Sequence, residues 1–152
     1  MGTLNEPKGR SFKSSRRKGR ILAFQALYSW DANKSKETSI PEELLDFSWA
    51  SQALDEELSA FSRLLVSGTI ENIDAVDNMI QKHLDNWELK RLNKVDLAIL
   101  RMSAYTLLFQ TDMPPSIVID EAIDISKEFG TDDSYRFVNG VLDGIRKAIE
   151  LK

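Results

Sequence analysis

The sequence predicts an all-α protein, and three observations carry that expectation. Apolar residues recur at spacings of three and four over most of the chain, the period of one helix face. The interruptions hold Pro, Gly, Asn, Asp and Ser, the residues that stop and start helices. Only Ile117-Val118-Ile119 could pass for a strand, and the sequence offers no second strand to pair with it. A chain of 152 residues is one domain, long enough to bury a core.

The elements follow in order. Ser14 or Ser15 can cap a first helix that runs to about Trp30, with Ile21, Phe24 and Tyr28 on one stripe and Ala23, Leu27 and Trp30 beside it. Asp31–Ser39 is a polar loop, and Pro41 opens a short second helix to about Trp49. From Leu54 the register Leu58, Phe61, Leu65, Ile73, Val76, Ile80, Leu84, Trp87 describes one long amphipathic helix or two stacked in register. Gly68 within it points to close packing against another helix. Asn93 caps the next helix, Asp96 is its first-turn acid, and Leu92 can staple onto Leu97. Val95–Phe109 is apolar on nearly every side and should be the buried central helix, stopped by Asp112-Met113-Pro114-Pro115. Ile119, Ala122, Ile123 and Phe129 mark a fifth helix, ended by Gly130. Thr131–Ser134 offers caps for a last one, with Val138, Val141, Leu142, Ile145 and Ile149 inward and Gly140 and Gly144 four apart for close packing.

The net charge of −4 conceals an asymmetry. Residues 1–20 hold seven Lys/Arg and one acid, while residues 21–152 hold 13 basic and 23 acidic residues. A +6 start is therefore joined to a −10 body. Residues 1–14 read as a flexible basic arm and residues 15–152 as a single helical domain. Arg16, Arg17, Lys18 and Arg20 run directly into the first helix, where the dipole disfavours cations, and a bound phosphate would relieve that repulsion. Gly19 weakens this turn and could move the helix start toward Arg20.

Several function classes find no support. With no cysteine there is neither a disulfide nor a thiolate metal site, which suits a cytoplasmic location. No apolar run reaches the roughly 20 residues of a membrane span. The basic N-terminus lacks the apolar stretch of a signal peptide, and Glu6 stands where a myristoylation signal needs Ser or Thr. His83, the single histidine, reads as a half-exposed structural residue on a helix. The scattered glycines form no phosphate loop. A non-enzymatic protein without metal or cofactor is expected.

Three segments together resemble the transcription antitermination factor NusB family from about residue 15 onward. They are Arg16-Arg17-Lys18-Gly19-Arg20 with Ala26-Leu27-Tyr28-Ser29-Trp30; Leu92 to Arg101 with Ala104-Tyr105-Thr106-Leu107-Leu108; and Ile119-Asp120-Glu121-Ala122-Ile123 with Phe129-Gly130-Thr131 and Ser134-Tyr135-Arg136-Phe137-Val138-Asn139-Gly140-Val141-Leu142-Asp143. The resemblance implies two packed three-helix bundles. It implies binding to the boxA element of ribosomal RNA leader transcripts as single-stranded RNA, jointly with ribosomal protein NusE, and entry into the elongating RNA polymerase complex. It places RNA contacts on Arg16, Arg17, Lys18 and Arg20, with Tyr28 and Phe137 as the aromatics that could stack on bases. For both aromatics, core packing is the alternative. Asp96 falls where the family carries an acid near the partner surface, its alternative being the first-turn acid already described. Asp120, Glu121 and Asn139 are better placed to cap or pair than to bind. The approximately fifteen residues ahead of the cluster are longer than the family leads one to expect, so nothing is carried over to Lys8 or Lys13.

Two other readings remain open. One is an RNA-recognition domain related to that of ribosomal RNA cytosine methyltransferases, against which stands a chain ending at Lys152 with no cofactor domain. The other is a helical protein–protein adaptor without RNA affinity. The oligomeric state is a monomer or a weak homodimer.

Overall fold

The computed structural model of the protein describes residues 8–33, 42–47 and 55–151. Their helices are α1 (Lys8–Ala32), α2 (Glu42–Asp46), α3 (Glu56–Glu71), α4 (Ile73–Gln81), α5 (Lys94–Phe109), α6 (Pro115–Phe129) and α7 (Ser134–Glu150), with a 3-10 turn at Leu89–Arg91. Among the described residues there is no strand, and residues 117–119 lie inside α6. Helices α1, α2 and α3 pack on one another, as do α5, α6 and α7, while α4 lies against α5 and α7. Helix α5 also contacts α1 and α3 and so joins the two groups.

Local chemistry explains most boundaries. Asp55 accepts a hydrogen bond from the Leu58 backbone N–H at 2.7 Å and caps α3. Asn93 does the same for α5, accepting from Val95 N at 2.8 Å and Asp96 N at 3.4 Å. Every residue of α5 from Asp96 to Leu107 is buried, as its unbroken apolar character requires. Pro115 begins α6, where its missing N–H has no bond to lose. The cap before α7 works differently from expectation. Asp133 makes no side-chain cap, and the Ser134 hydroxyl instead accepts from Thr131 N at 2.9 Å.

Two expectations need correction, and a choice left open is decided. Helix α1 begins at Lys8, ahead of Ser14, so Arg16–Arg20 sit in its third and fourth turns rather than at the positive end of its dipole. Of the two alternatives for the long register from Leu58, the structure has the two helices. The Asn72 backbone N–H and side-chain amide both bond the Gly68 carbonyl, at 3.1 and 2.8 Å, and end α3 before α4 starts at Ile73. That register stops at Gln81: Leu84 is buried beyond the helix, but Trp87 is 55% exposed. Residues 1–7, 34–39, Pro41, Trp49 and Leu54, where the sequence predicts an arm, a loop and helix ends, lie outside the described residues.

Gly68 fulfils the close-packing expectation, since a Cβ there would overlap the Tyr105 ring of α5. Gly140 does not, because a Cβ there would meet nothing within 4 Å. The two positions give opposite predictions. Gly68→Ala should destabilise by about 1–3 kcal/mol through overpacking. Gly140→Ala should stabilise by about 0.4–1 kcal/mol through the unfolded chain alone. Urea unfolding of both variants checks the pair, and equal effects would contradict this packing.

Candidate nucleic-acid interface

Helix α1 carries the basic cluster, and its buried face fixes where the cluster sits. Leu22, Ala23, Phe24, Ala26, Leu27 and Trp30 are buried, which seats α1 against α3 and α5. Gly19 lies under α3: a Cβ would come within 2.8 Å of Phe61 and 2.9 Å of Leu58. Ser62 donates a hydrogen bond to the Gly19 carbonyl at 3.0 Å. The glycine is thus a packing surface, and the helix passes through it without a break.

The four cations of the cluster are unequally disposed. Arg16 lies partly buried with its guanidinium 4.3 Å from the Phe61 ring centroid, a cation–π contact. Arg17 bonds Glu121 through Nε at 3.0 Å and Asp124 through an Nη at 2.6 Å, and its side chain is 41% exposed. The hydrogen bond it donates to Glu121 is the main cause that raises its pKa above the ordinary arginine value. Lys18 is partly buried. Arg20 is only 8% exposed, 3.8 Å from Glu121 and 5.5 Å from the Phe61 ring. Burial lowers its pKa, Glu121 opposes that shift, and Arg16 and Arg17 add to it. Three cations therefore border the surface, while the fourth is built into the seam between α1 and α6. Arg20 lies four residues before Phe24 and seven before Leu27, on the apolar stripe, which is the signal in the sequence for its burial. Glu121, which the sequence places among residues that cap or pair without naming its partner, lies between Val118 and Ile125 on the buried stripe of α6.

The aromatics lie toward the other end of α1. Phe24 meets Phe129 at 5.2 Å, so α1 and α6 run side by side in the same direction from the Arg17–Glu121 pair. Tyr28, one turn past Phe24, is 42% exposed and offers its ring to solvent. Phe137, in the first turn of α7, is partly buried and packs on the core. Arg16 and Tyr28 are separated by about 18 Å of helix.

Asp96 occupies the corner where α5 begins. It is 7% exposed, and its Oδ1 has no hydrogen-bond partner. Burial raises its carboxyl pKa, and a hydrogen bond from Ser134 at the start of α7 partly opposes the rise. His83 is half-buried, with Nδ1 2.9 Å from the Met79 carbonyl and its ring over Gly144 of α7, a structural position. Among the described residues no His, Cys, Asp and Glu side chains group to hold a metal ion, and no helix is long and apolar enough to cross a membrane.

The raised Asp96 pKa fixes a sign. A carboxyl whose folded pKa lies above its unfolded value of 3.8 costs stability when charged, and that cost disappears as pH falls through the folded value. Asp96→Asn should therefore match or exceed the parent in stability at neutral pH, with its advantage shrinking on acidification. Denaturant midpoints from pH 7 to pH 4 test this, and an advantage that grows toward acid would refute it.

Comparison with known proteins accords with this architecture. The model of the NusB family matches residues 17–147. A protein of Treponema denticola named transcription antitermination protein NusB is 54% identical over 133 residues, covering 86% of this chain and 95% of that protein. The structure of T. maritima NusB superposes with a TM-score of 0.75 at 38% identity, covering 87% of this chain and 90% of that one. A chain in the crystal structure of antitermination factors NusB and NusE in complex with dsRNA gives a TM-score of 0.76 at 27% identity, covering 89% of this chain and 98% of that one. The family match spans Arg17, Lys18 and Arg20 of α1, the α5–α7 corner and most of α7, and on that evidence this chain belongs to the NusB family.

Proposed function

We propose that this protein is a non-catalytic, RNA-binding transcription antitermination factor. It binds the boxA element of ribosomal RNA leader transcripts together with NusE and joins the elongating RNA polymerase complex. The observation that carries this reading is the α1 face, where a basic cluster and the exposed Tyr28 ring share one helix. Relatives bearing the antitermination name, and the NusB–NusE–dsRNA complex of a structural neighbour, support it. The methyltransferase alternative is disfavoured, because the Treponema denticola relative is itself spanned over 95% of its length and has no room for a cofactor domain.

In this proposal Arg16, Arg17 and Lys18 hold phosphates, and Arg20 adds its charge from the α1–α6 seam. Tyr28 stacks on a base of single-stranded RNA, and Phe137 offers a second, more recessed ring. Asp96 serves the partner side through the corner it forms with Ser134. Replacing Arg16, Arg17, Lys18 and Arg20 with Ala should lower the slope of log affinity against log salt by about 0.7 for each phosphate no longer held. Tyr28→Ala should keep the slope and cost about 1–3 kcal/mol of RNA affinity. Filter binding over a salt series reads both, with thermal unfolding as the control. An α1 variant that stays folded and binds leader RNA with unchanged slope would sink the proposal.

The −10 body repels RNA, so the cluster alone binds weakly and a basic ribosomal protein docked beside it supplies the missing charge. RNA and NusE should therefore strengthen each other's binding by a factor of roughly 5–150, the usual range for coupled sites. Titrations of RNA with and without NusE measure the factor, and equal affinities would contradict the coupling.

A further inference from the structure

Phe61 of α3 packs on the core, yet its ring also lies among the α1 cations. The Arg16 guanidinium carbon stands over the ring, 4.3 Å from its centroid, and that of Arg20 stands at 5.5 Å. Gly19 makes this approach possible. A Cβ there would come within 2.8 Å of the ring, so the α1 backbone forms one wall of its seat. Ser62, the next residue of α3, ties that wall down by donating to the Gly19 carbonyl at 3.0 Å. Arg16, Arg20 and Phe61 line one cleft of about 390 Å³, with room for a phosphate group.

Arg16 and Arg20 are four residues apart on one helix, a spacing at which like charges repel. The negative face of an aromatic ring attracts both guanidiniums. The two kinds of support that α1 receives act differently on a ligand. Carboxylates, such as Glu121 and Asp124 beside Arg17, occupy N–H donors that a phosphate would need. A ring meets the flat face of a guanidinium and leaves the in-plane donors outside the contact. It orders the cation without neutralising it.

We infer that Phe61 is a positioning residue for RNA binding: its ring holds the Arg16 guanidinium in the cleft, ordered for a phosphate, and the bare backbone of Gly19 lets the ring reach it. The inference rests on the RNA-binding reading above, and adds to it a residue of α3 that does not itself touch RNA. A cation ordered in advance loses less side-chain freedom when the phosphate arrives.

The test uses the full chain with NusE and a ribosomal leader RNA, and reads affinity over a salt series together with Tm. Phe61→Leu should weaken binding by about 2- to 30-fold, the usual strength of a cation–π contact, and keep the log–log slope because no charge is lost. Arg16→Ala should weaken it at least as much and lower the slope by about 0.7. In the Arg16→Ala background, Phe61→Leu should have little further effect. Ring-fluorinated phenylalanines at position 61 keep its shape while draining charge from its face, so affinity should fall stepwise with each fluorine at constant Tm. Wild-type affinity in a folded Phe61→Leu variant, or across the fluorinated series, overturns the inference. So do losses from Phe61→Leu and Arg16→Ala that multiply in the double variant, because Phe61 then acts only through the core. If Phe61→Leu does not fold, the fluorinated series decides. If Arg16→Ala binds with wild-type affinity and slope while the four-residue α1 variant does not, this inference fails and the proposed function stands. If wild type shows no salt-dependent RNA binding, both fail.

Discussion

A helix buried from Asp96 through Leu107 loses stability for each polar group left without a partner, and α5 carries Asp96, Arg101, Ser103 and Thr106. Thr106 solves this locally by donating to the Met102 carbonyl at 3.0 Å. Arg101 cannot, and its solution organises the molecule. Its guanidinium is held in bidentate fashion by Asp77 of α4, both bonds at 2.9 Å, and lies 3.3 Å from Asp31 of α1. Burial works against the charge, but Asp77 and Asp31 outweigh it and raise the pKa. Lys94 closes the set by pairing with Asp31 at 3.1 Å. One buried cation therefore fixes the spacing of three helices, two of them from different halves of the fold.

The same logic recurs with opposite sign at Glu121. A buried carboxylate on α6 needs cations, and α1 supplies Arg17 and Arg20. The basic cluster consequently serves two ends. Some of its charge holds α1 in place, and the rest gives α1 its electropositive surface. The acidic body is thus no mere counterweight to a basic segment, because its buried acids orient that segment.

Much of the fold is legible in the sequence because it rests on local chemistry. Asn93 as a cap, the proline break before α6 and the all-round apolar character of α5 each act within a few residues. What stays hidden is either a local bond with no distinctive sequence signal or a contact between distant residues. The end of α3 turns on Asn72 bonding back to Gly68, in a register that contains no proline. Ser14 and Ser15 resemble caps and so place the onset of α1 too late, whereas the helix starts at Lys8. Of the candidate site, Tyr28 is exposed and Phe137 partly covered, and neither outcome follows from helical spacing alone. The pairing of Glu121 with Arg17 joins residues 104 apart, beyond the reach of any local pattern.

That separation bears on how the chain acquires its shape. Helices α6 and α7 are joined by the four residues between Phe129 and Ser134, so they meet after a small loop closes. Docking α1 on α6 closes a segment of 104 residues, an entropic cost higher by on the order of 3 kcal/mol on a simple logarithmic scaling. The C-terminal hairpin is thus the natural early structure, and α1 the late arrival that completes the core. During synthesis the order of emergence is the reverse. The basic helix leaves the ribosome first and waits, its charges unanswered, for the carboxylate that will seat it.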